Sequence, residues 1–359
     1  MNEQLNWDDI LGDIEEQQAV LLLGHGFLPD AQKSLYEIFG KELGDKMLYF
    51  YQRDGLFLFA DNDAKTSAQK EAARYFKQCA PEESLLKMIV ELPFRLVVSA
   101  NPDTKLADAF AKYRQPFQFD YYSSQPKDEN ETPLARPTAG RPLLYNLCGS
   151  HEDRKSLILD YDDLFNLLKN LLADTNVPVS ELRRPLQSAT TFIFFGFHFE
   201  RWYTQLFLRY LNQNEYQFSN SARNYAMKTT FSDAESQQFF MKQFNVRYIG
   251  GDISFFEELH RRFSEKYPQK LRRLVDELSP TATTILQLIE KNDIGAAISM
   301  IRIFESQLHT EDLDLRSQTE AMYNQYLQQK EEPTVSQEHL TNLLNRVRIN
   351  FRAIAQKIN

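Results

Sequence analysis

The chain has 359 residues but only two cysteines, Cys79 and Cys148, and two tryptophans. Two cysteines cannot build a disulfide framework or a four-cysteine zinc site, which excludes small secreted scaffolds, zinc fingers and zinc ribbons. No run of eighteen apolar residues occurs, so no transmembrane helix is expected. Basic residues are in deficit: 41 Lys and Arg against 50 Asp and Glu leave a net charge of −9. Direct nucleic-acid binding through a broadly basic surface is therefore not expected. The opening stretch MNEQLNWDDILGDIEEQQ is acidic and polar, unlike a signal or transit peptide. With few cysteines and no export signal, the expected compartment is the cytoplasm. Aromatic residues, by contrast, are plentiful, with 27 Phe and 17 Tyr. They supply core packing and surfaces for interfaces or for stacking on a ligand. The length suggests about two domains.

Short apolar runs recur along the first three quarters of the chain. Residues 18–23 form a run that stops at Gly24-His25-Gly26, which reads as a buried strand entering a glycine turn. Residues 27–53 then read as helical. Further strands are predicted at 94–99, 118–122, 143–147, 191–195 and 246–249, the last closed by Gly250-Gly251. Helical spacing is seen at 64–91, 161–173, 199–213 and 253–276. Near-continuous apolar strands alternating with helices imply a parallel sheet covered on both faces, that is, a Rossmann-like doubly wound α/β domain. Residues 125–142 are polar and proline-rich and read as a surface loop. After Ser279-Pro280 no strand-like run appears. Ser279 is a candidate helix cap, and helices are predicted at 281–292, 294–308, 312–329 and from Ser336 onward. The expected division is 1–278 for the α/β domain and 279–359 for an all-α helical bundle.

Four segments at predicted strand ends carry the residues that point to chemistry. These are Gly24-His25-Gly26, Ser99-Ala100-Asn101-Pro102-Asp103, Cys148-Gly149-Ser150-His151, and Gly196-Phe197-His198-Phe199. In open α/β sheets ligands bind outside the carboxyl ends of the strands, so four such ends converge on one crevice. A glycine turn lets backbone N–H groups approach a pyrophosphate at a helix N-terminus. A tight structural turn explains the same glycines, and an Asn-Pro-Asp turn with self-capping side chains explains the second segment. No spacing of His, Cys, Asp and Glu suggests a metal site, so no metal is expected.

In this order and with these residues, roughly 15–265 of the chain resembles the SIR2-like family of bacterial antiphage defence proteins. Gly24-His25-Gly26 stands where that family has Gly-Ala-Gly. Ala100-Asn101-Pro102-Asp103 matches its Thr-Asn-Tyr-Asp-like motif, Cys148-Gly149-Ser150 its His-Gly-Ser, and Gly196-Phe197 its Gly-Tyr or Gly-Phe. Ser156-Leu157-Ile158-Leu159 and Asp162-Asp163-Leu164 are similar as well. The resemblance implies NAD as ligand or substrate and cleavage of its nicotinamide–ribose bond to nicotinamide and ADP-ribose. It implies Asn101, Cys148 and His151 as candidate catalytic residues. Candidate NAD-binding residues are Gly24, His25, Gly26, Ser99, Asp103, Gly149, Ser150, Gly196, Phe197 and His198. Asn101 would hold the ribose or position water, and Asp103 would orient its loop or contact the ribose. The family's histidine base is replaced here by Cys148, a poor base unless its surroundings lower its pKa. His151 and His198 are the alternative candidates, and His25 either crowds a dinucleotide or donates to a phosphate. A catalytically degenerate scaffold acting through protein contacts is the alternative to an NADase. Four cysteines for a deacetylase zinc are absent.

The C-terminal stretch resembles the effector-associated helical domains of prokaryotic conflict systems through Leu286-Gln287-Leu288-Ile289, Ala296-Ala297-Ile298, Tyr323-Asn324-Gln325-Tyr326 and Asn345-Arg346-Val347-Arg348. That resemblance implies a partner protein or a homo-oligomer engaged through this domain, gating activity by assembly. No membrane partner is expected.

Overall fold

The computed structural model describes residues 5–28, 31–124, 134–172, 179–211, 223–227, 231, 233–249, 253–274, 280–305, 308, 310–330 and 336–358. The chain forms two compact units. One comprises Met1–Phe110 and Phe117–Arg273, the other Ala111–Pro116 and Leu274–Asn359.

The order of elements through the first unit is α1 (Trp7–Glu15), β1 (Ala19–Leu23), α2 (Ala31–Leu43), β2 (Met47–Tyr51), β3 (Leu56–Phe59), α3 (Asn62–Gln78), α4 (Glu83–Glu91), β4 (Leu96–Ser99), α5 (Lys105–Lys112), β5 (Gln118–Tyr121) and β6 (Leu143–Asn146). It continues with α6 (Tyr161–Leu172), α7 (Val179–Gln187), β7 (Thr191–Phe195), α8 (Trp202–Leu211), β8 (Arg223–Met227), α9 (Ala234–Gln243), β9 (Val246–Tyr248) and α10 (Ile253–Lys266). Seven strands form one sheet in the order β5-β6-β4-β1-β7-β8-β9, every pair parallel. The strands are parallel because AVLLL, LVVS, LLYN and TFIFF are buried on both faces. The chain leaves β1 toward β4 on one side and reaches β7 on the other. The sheet therefore reverses its winding beside β1, where a crevice opens at the carboxyl ends. One face packs Val20, Leu22, Val98, Tyr145, Phe192 and Phe194 into a core with α6 and α8. On the opposite face Phe195 meets Phe256 of α10 edge-on at 5.2 Å.

The doubly wound parallel sheet expected from the sequence is present, with corrections of detail: the helix expected at 253–276 ends at Lys266, before Pro268, and two other stretches divide. Residues 27–53 are not one helix. α2 stops at Leu43, Gly44 adopts a left-handed φ of 56°, and β2 pairs antiparallel with β3 in a separate hairpin. The aromatic run Met47–Tyr51 favours strand, and Asp54-Gly55 supplies the turn, with Gly55 at φ 71°. Residues 64–91 likewise divide into α3 and α4, with Pro81 in the break. The strand β8 had no apolar run to announce it. Its first residues are polar because Arg223 pairs with Asp9 and Asp13 at 2.8 Å each, while Asn224 Nδ2 donates to the Phe244 carbonyl at 2.7 Å. Residues 125–133 of the proline-rich stretch, Gly250-Gly251 and the candidate cap Ser279 lie outside the described residues.

The second unit contains α11 (Pro280–Glu290), α12 (Ile294–Ile303), α13 (Thr310–Lys330) and α14 (Gln337–Ala355). Ile285, Ile289, Ile301, Val347, Phe351 and Ile354 form its core. Asn292 at φ 63° and Asp293, whose side chain accepts from Ala296 N, make the break between α11 and α12. Ser336 caps α14 by accepting from His339 N.

The half-buried Arg272 closes the end of α4. Its guanidinium donates to the carbonyls of Val90, Leu92, Phe94 and Ala139, and its backbone N–H donates to Glu91. A cation at a helix C-terminus meets the negative end of the dipole and satisfies carbonyls that the helix leaves unpaired. Burial pushes the Arg272 pKa down to about 9. Arg272→Met strands these acceptors and is expected to lower stability by about 2–4 kcal/mol. Urea unfolding measures this, and an unchanged midpoint would show that the carbonyls find other donors.

Candidate functional site

The crevice begins as a contact between two loops. Gly24 N donates to the Phe195 carbonyl at 2.8 Å, and Gly26 N to the Gly196 carbonyl at 2.9 Å. A Cβ on Gly24 would stand 2.3 Å from the Gly196 oxygen, and one on Gly196 2.6 Å from the Gly26 carbonyl carbon. Gly196 also has a φ of 70°, which disfavours any side chain. Phe27 N and Leu28 N bond back to Gly24 and His25 in a single 3-10 turn. The N–H groups of Gly24 and Gly26 are thus committed within the protein, and these glycines serve backbone-to-backbone packing of the loops after β1 and β7.

Two more strand ends join them. Ala100 N extends the ladder to the Leu23 carbonyl at 2.7 Å, and Leu147 N to that of Ser99 at 2.7 Å. Asn101, 1% exposed, donates from Nδ2 to the Gly24 carbonyl at 3.0 Å. Its Oδ1 is buried and receives no well-aligned hydrogen bond, although the His25 ring interacts with the Asn101 side chain. A buried acceptor without a donor is costly and marks a place where a ligand or water belongs.

Around this point lies a cavity of about 90 Å³, room for roughly three waters at liquid density. Gly24, His25, Asn101, Cys148, Phe197 and His198 line it, together with Arg201, Tyr203 and Gln32. Its far wall is apolar, made by Leu159, Leu164, Leu168, Leu171 and Phe207, and the β2–β3 hairpin closes one side through Gly55, Leu56 and Phe57. The hairpin is fastened there: Phe57 N donates to the Leu159 carbonyl at 2.9 Å, and Tyr203 Oη to the Asp54 carbonyl at 2.9 Å.

The remaining sequence candidates sit elsewhere. Gly149, at φ 89°, has no room for a Cβ, which would fall 2.2 Å from the Ser156 oxygen. Ser150 N donates to Ser156 Oγ at 2.8 Å within the same tight loop. His151 N donates to the Pro102 carbonyl at 2.8 Å, and its ring does not line the cavity. Ser99 Oγ accepts from Asn101 N at 3.1 Å and so shapes the Asn101 turn. Asp103 borders a separate small cavity with Ser99 and Asn146. Its Oδ1 accepts from Lys105 N at 2.9 Å, and its carbonyl accepts from Asn146 Nδ2 at 2.7 Å.

Electrostatically the cavity is a neutral well with one charge. Burial, then Arg201, pushes His25 down to about 3. The same two causes bring His198 down to about 4. Burial pushes the Cys148 thiol up to about 12 against a smaller opposing effect of Arg201. At pH 7 both imidazoles and the thiol are uncharged, and no Asp, Glu or Lys lines the cavity among the described residues. No group here has a pKa near neutrality, the range that suits general-base catalysis. Among the described residues no three His, Cys, Asp or Glu converge on a metal position. Arg201, Gln32 and Tyr203 escaped the sequence reading because the contacts that bring them together, Arg201 to Gln32 and Tyr203 to Asp54, are distant along the chain. The one available signal was a charged residue three positions after His198.

A family model described as a SIR2-like domain matches residues 95–249. That stretch carries β4 to β9 and three of the four strand-end loops, and SIR2-like domains bind NAD. No curated protein matches the chain.

Two outcomes follow from the titrating groups. The Cys148 thiolate fraction is very small at pH 8, because its pKa lies far above that pH. Alkylation by iodoacetamide, mapped by mass spectrometry, is expected to be far slower at Cys148 in the folded chain than in urea. Equal rates would show an accessible thiolate. Burial raises Asp103 to about 6, so the folded state favours its protonated form. That contribution is full below the unfolded pKa near 3.8 and is lost as pH rises through about 6. Asp103→Asn is therefore expected to raise stability at pH 8 by about 1–3 kcal/mol and to have little effect at pH 4, by urea unfolding.

Proposed function

We propose, from the SIR2-like domain at residues 95–249, that the cavity beside β1 binds one end of NAD. The observation that carries this reading is the buried Oδ1 of Asn101, which lacks a well-aligned donor, at the point where the sheet reverses its winding. An acceptor there fits a ligand that offers a hydroxyl or amide N–H, as NAD does at its ribose and carboxamide. The apolar wall fits a ring, and about 90 Å³ fits one end of the dinucleotide rather than the whole of it.

Cleavage of the nicotinamide–ribose bond, releasing nicotinamide and ADP-ribose, is the activity we assign to the chain in an assembled state. Asn101 orients the ribose or the attacking water, and the neutral imidazoles of His25 and His198 line the same cavity. Residues 279–359 are the recruiting part, pairing with a second copy or a partner protein. Together this makes the chain an effector of bacterial antiviral immunity, held inactive until assembly. The supporting features are the match at 95–249, the cavity and the separate helical region.

A second reading, a scaffold that binds the nucleotide without turnover, is favoured by one observation. Cys148 stands where the resemblance puts a histidine base, and its thiol stays protonated.

Calorimetric titration with NAD and ADP-ribose tests binding, and Asn101→Ala is expected to weaken it about 10-fold or more. Absence of any nucleotide binding overturns both readings. Release of nicotinamide from NAD, followed by chromatography over a range of protein concentrations, separates them. Turnover that appears on assembly supports the enzyme. Binding without turnover in every assembly state, with activity gained by Cys148→His, supports the scaffold.

A further inference from the structure

Arg201 is the one charged side chain that lines the cavity among the described residues. It is 5% exposed, and among the described residues no carboxylate forms an ion pair with it. Its guanidinium is held by neutral groups: NH1 donates to Tyr203 Oη at 2.8 Å, and NH2 to Gln32 Oε1. These partners are themselves fixed. Tyr203 Oη donates to the Asp54 carbonyl, and the Gln32 amide lies where a Cβ on Gly55 would stand. The guanidinium is thus oriented but not neutralised. Buried arginines are ordinarily paired with an anion, because taking the charge out of water is costly.

Its place in the fold increases the mismatch. Arg201 immediately precedes α8, and its carbonyl accepts from Thr204 N at 3.0 Å, as a residue capping the helix N-terminus does. That end of the helix carries the positive pole of the dipole, where an anion is favoured and a cation is not. Two like charges converge here on the cavity, and no carboxylate among the described residues lines it, Glu200 acting on His198 and Asp54 on Tyr203 only from outside the lining. His25, His198 and Cys148 share the cavity with Arg201 and are uncharged at pH 7.

We infer that Arg201 is the anion-binding residue of the cavity and takes a phosphate of the nucleotide. The inference rests on the nucleotide reading for the identity of the ligand, and on the unpaired guanidinium for the site itself. Asn101 Oδ1 and Arg201 then form a two-point recognition set, one accepting a hydrogen bond and the other pairing with an anion, both backed by the apolar wall. Arginine suits this task because its planar fork can engage two phosphate oxygens while other N–H groups keep their internal acceptors.

The test measures binding of ADP-ribose, adenosine and inorganic pyrophosphate to the full chain and to Arg201→Gln by calorimetry. The expected result is a loss of about 10- to 100-fold in ADP-ribose affinity in the variant, with adenosine binding changed less than about 3-fold. In the unmodified chain, pyrophosphate is expected to compete with ADP-ribose, a measurement that stands even where Arg201→Gln fails to fold. ADP-ribose binding that neither the variant nor pyrophosphate disturbs overturns the role of Arg201 and leaves the nucleotide reading intact. Pyrophosphate binding without any nucleotide binding supports the anion site and sinks the nucleotide reading. Binding of no anion at all overturns both.

Discussion

Everything at the carboxyl end of the sheet depends on how closely the loop after β1 approaches the loop after β7. Gly24, Gly26 and Gly196 meet backbone to backbone, with hydrogen bonds where side chains would otherwise separate them. The contact brings the Gly24 carbonyl within reach of Asn101 Nδ2 and turns Phe197 and His198 toward the cavity. One Cβ at Gly24 or Gly196 would part the two loops, and the Asn101 turn would lose its anchor. The glycines that suggest a phosphate cradle in the sequence thus do a different task in the fold: they set the width of the crevice.

The sheet was legible because a parallel strand covered on both faces reads as an unbroken apolar run. β1, β4, β6 and β7 are such runs. β8 was not legible, because its polar residues are buried by pairing with Asp9, Asp13 and the Phe244 carbonyl, contacts made far along the chain. The hairpin carried a readable signal in Asp54-Gly55, which the helical spacing of Leu35, Ile38 and Phe39 overshadowed. Of the candidate site residues, Gly24, His25, Asn101, Cys148, Phe197 and His198 line the cavity, each within three residues of the carboxyl end of a strand. Gly149, Ser150 and His151, in the loop after β6, are absorbed by the tight turn that Ser156 fastens. Gln32, Tyr203 and Arg201 come together through tertiary contacts that no local pattern reports.

The cavity's electrostatics follow from its walls. Leucines and phenylalanines remove water, and that removal keeps two imidazoles and a thiol neutral while leaving one guanidinium charged. In such surroundings a single ionic contact is screened far less than at the surface. The hairpin makes this possible by covering one side, tied down through the Leu159 and Asp54 carbonyls.

The position of β1 has a consequence for how the chain is made. β1 lies near the N-terminus yet sits at the centre of the sheet, and its partner β7 pairs Thr191 with Ala19, 172 residues earlier. At roughly 5–20 residues per second, synthesis takes on the order of ten seconds or more to deliver that partner. Throughout this interval the AVLLL segment has at most one of its two neighbours. A strand this apolar and free of charge is prone to pair with another copy of itself. The nascent chain is therefore most vulnerable before residue 195 emerges, and its yield on expression depends on chaperone capacity and translation speed as much as on the stability of the finished fold.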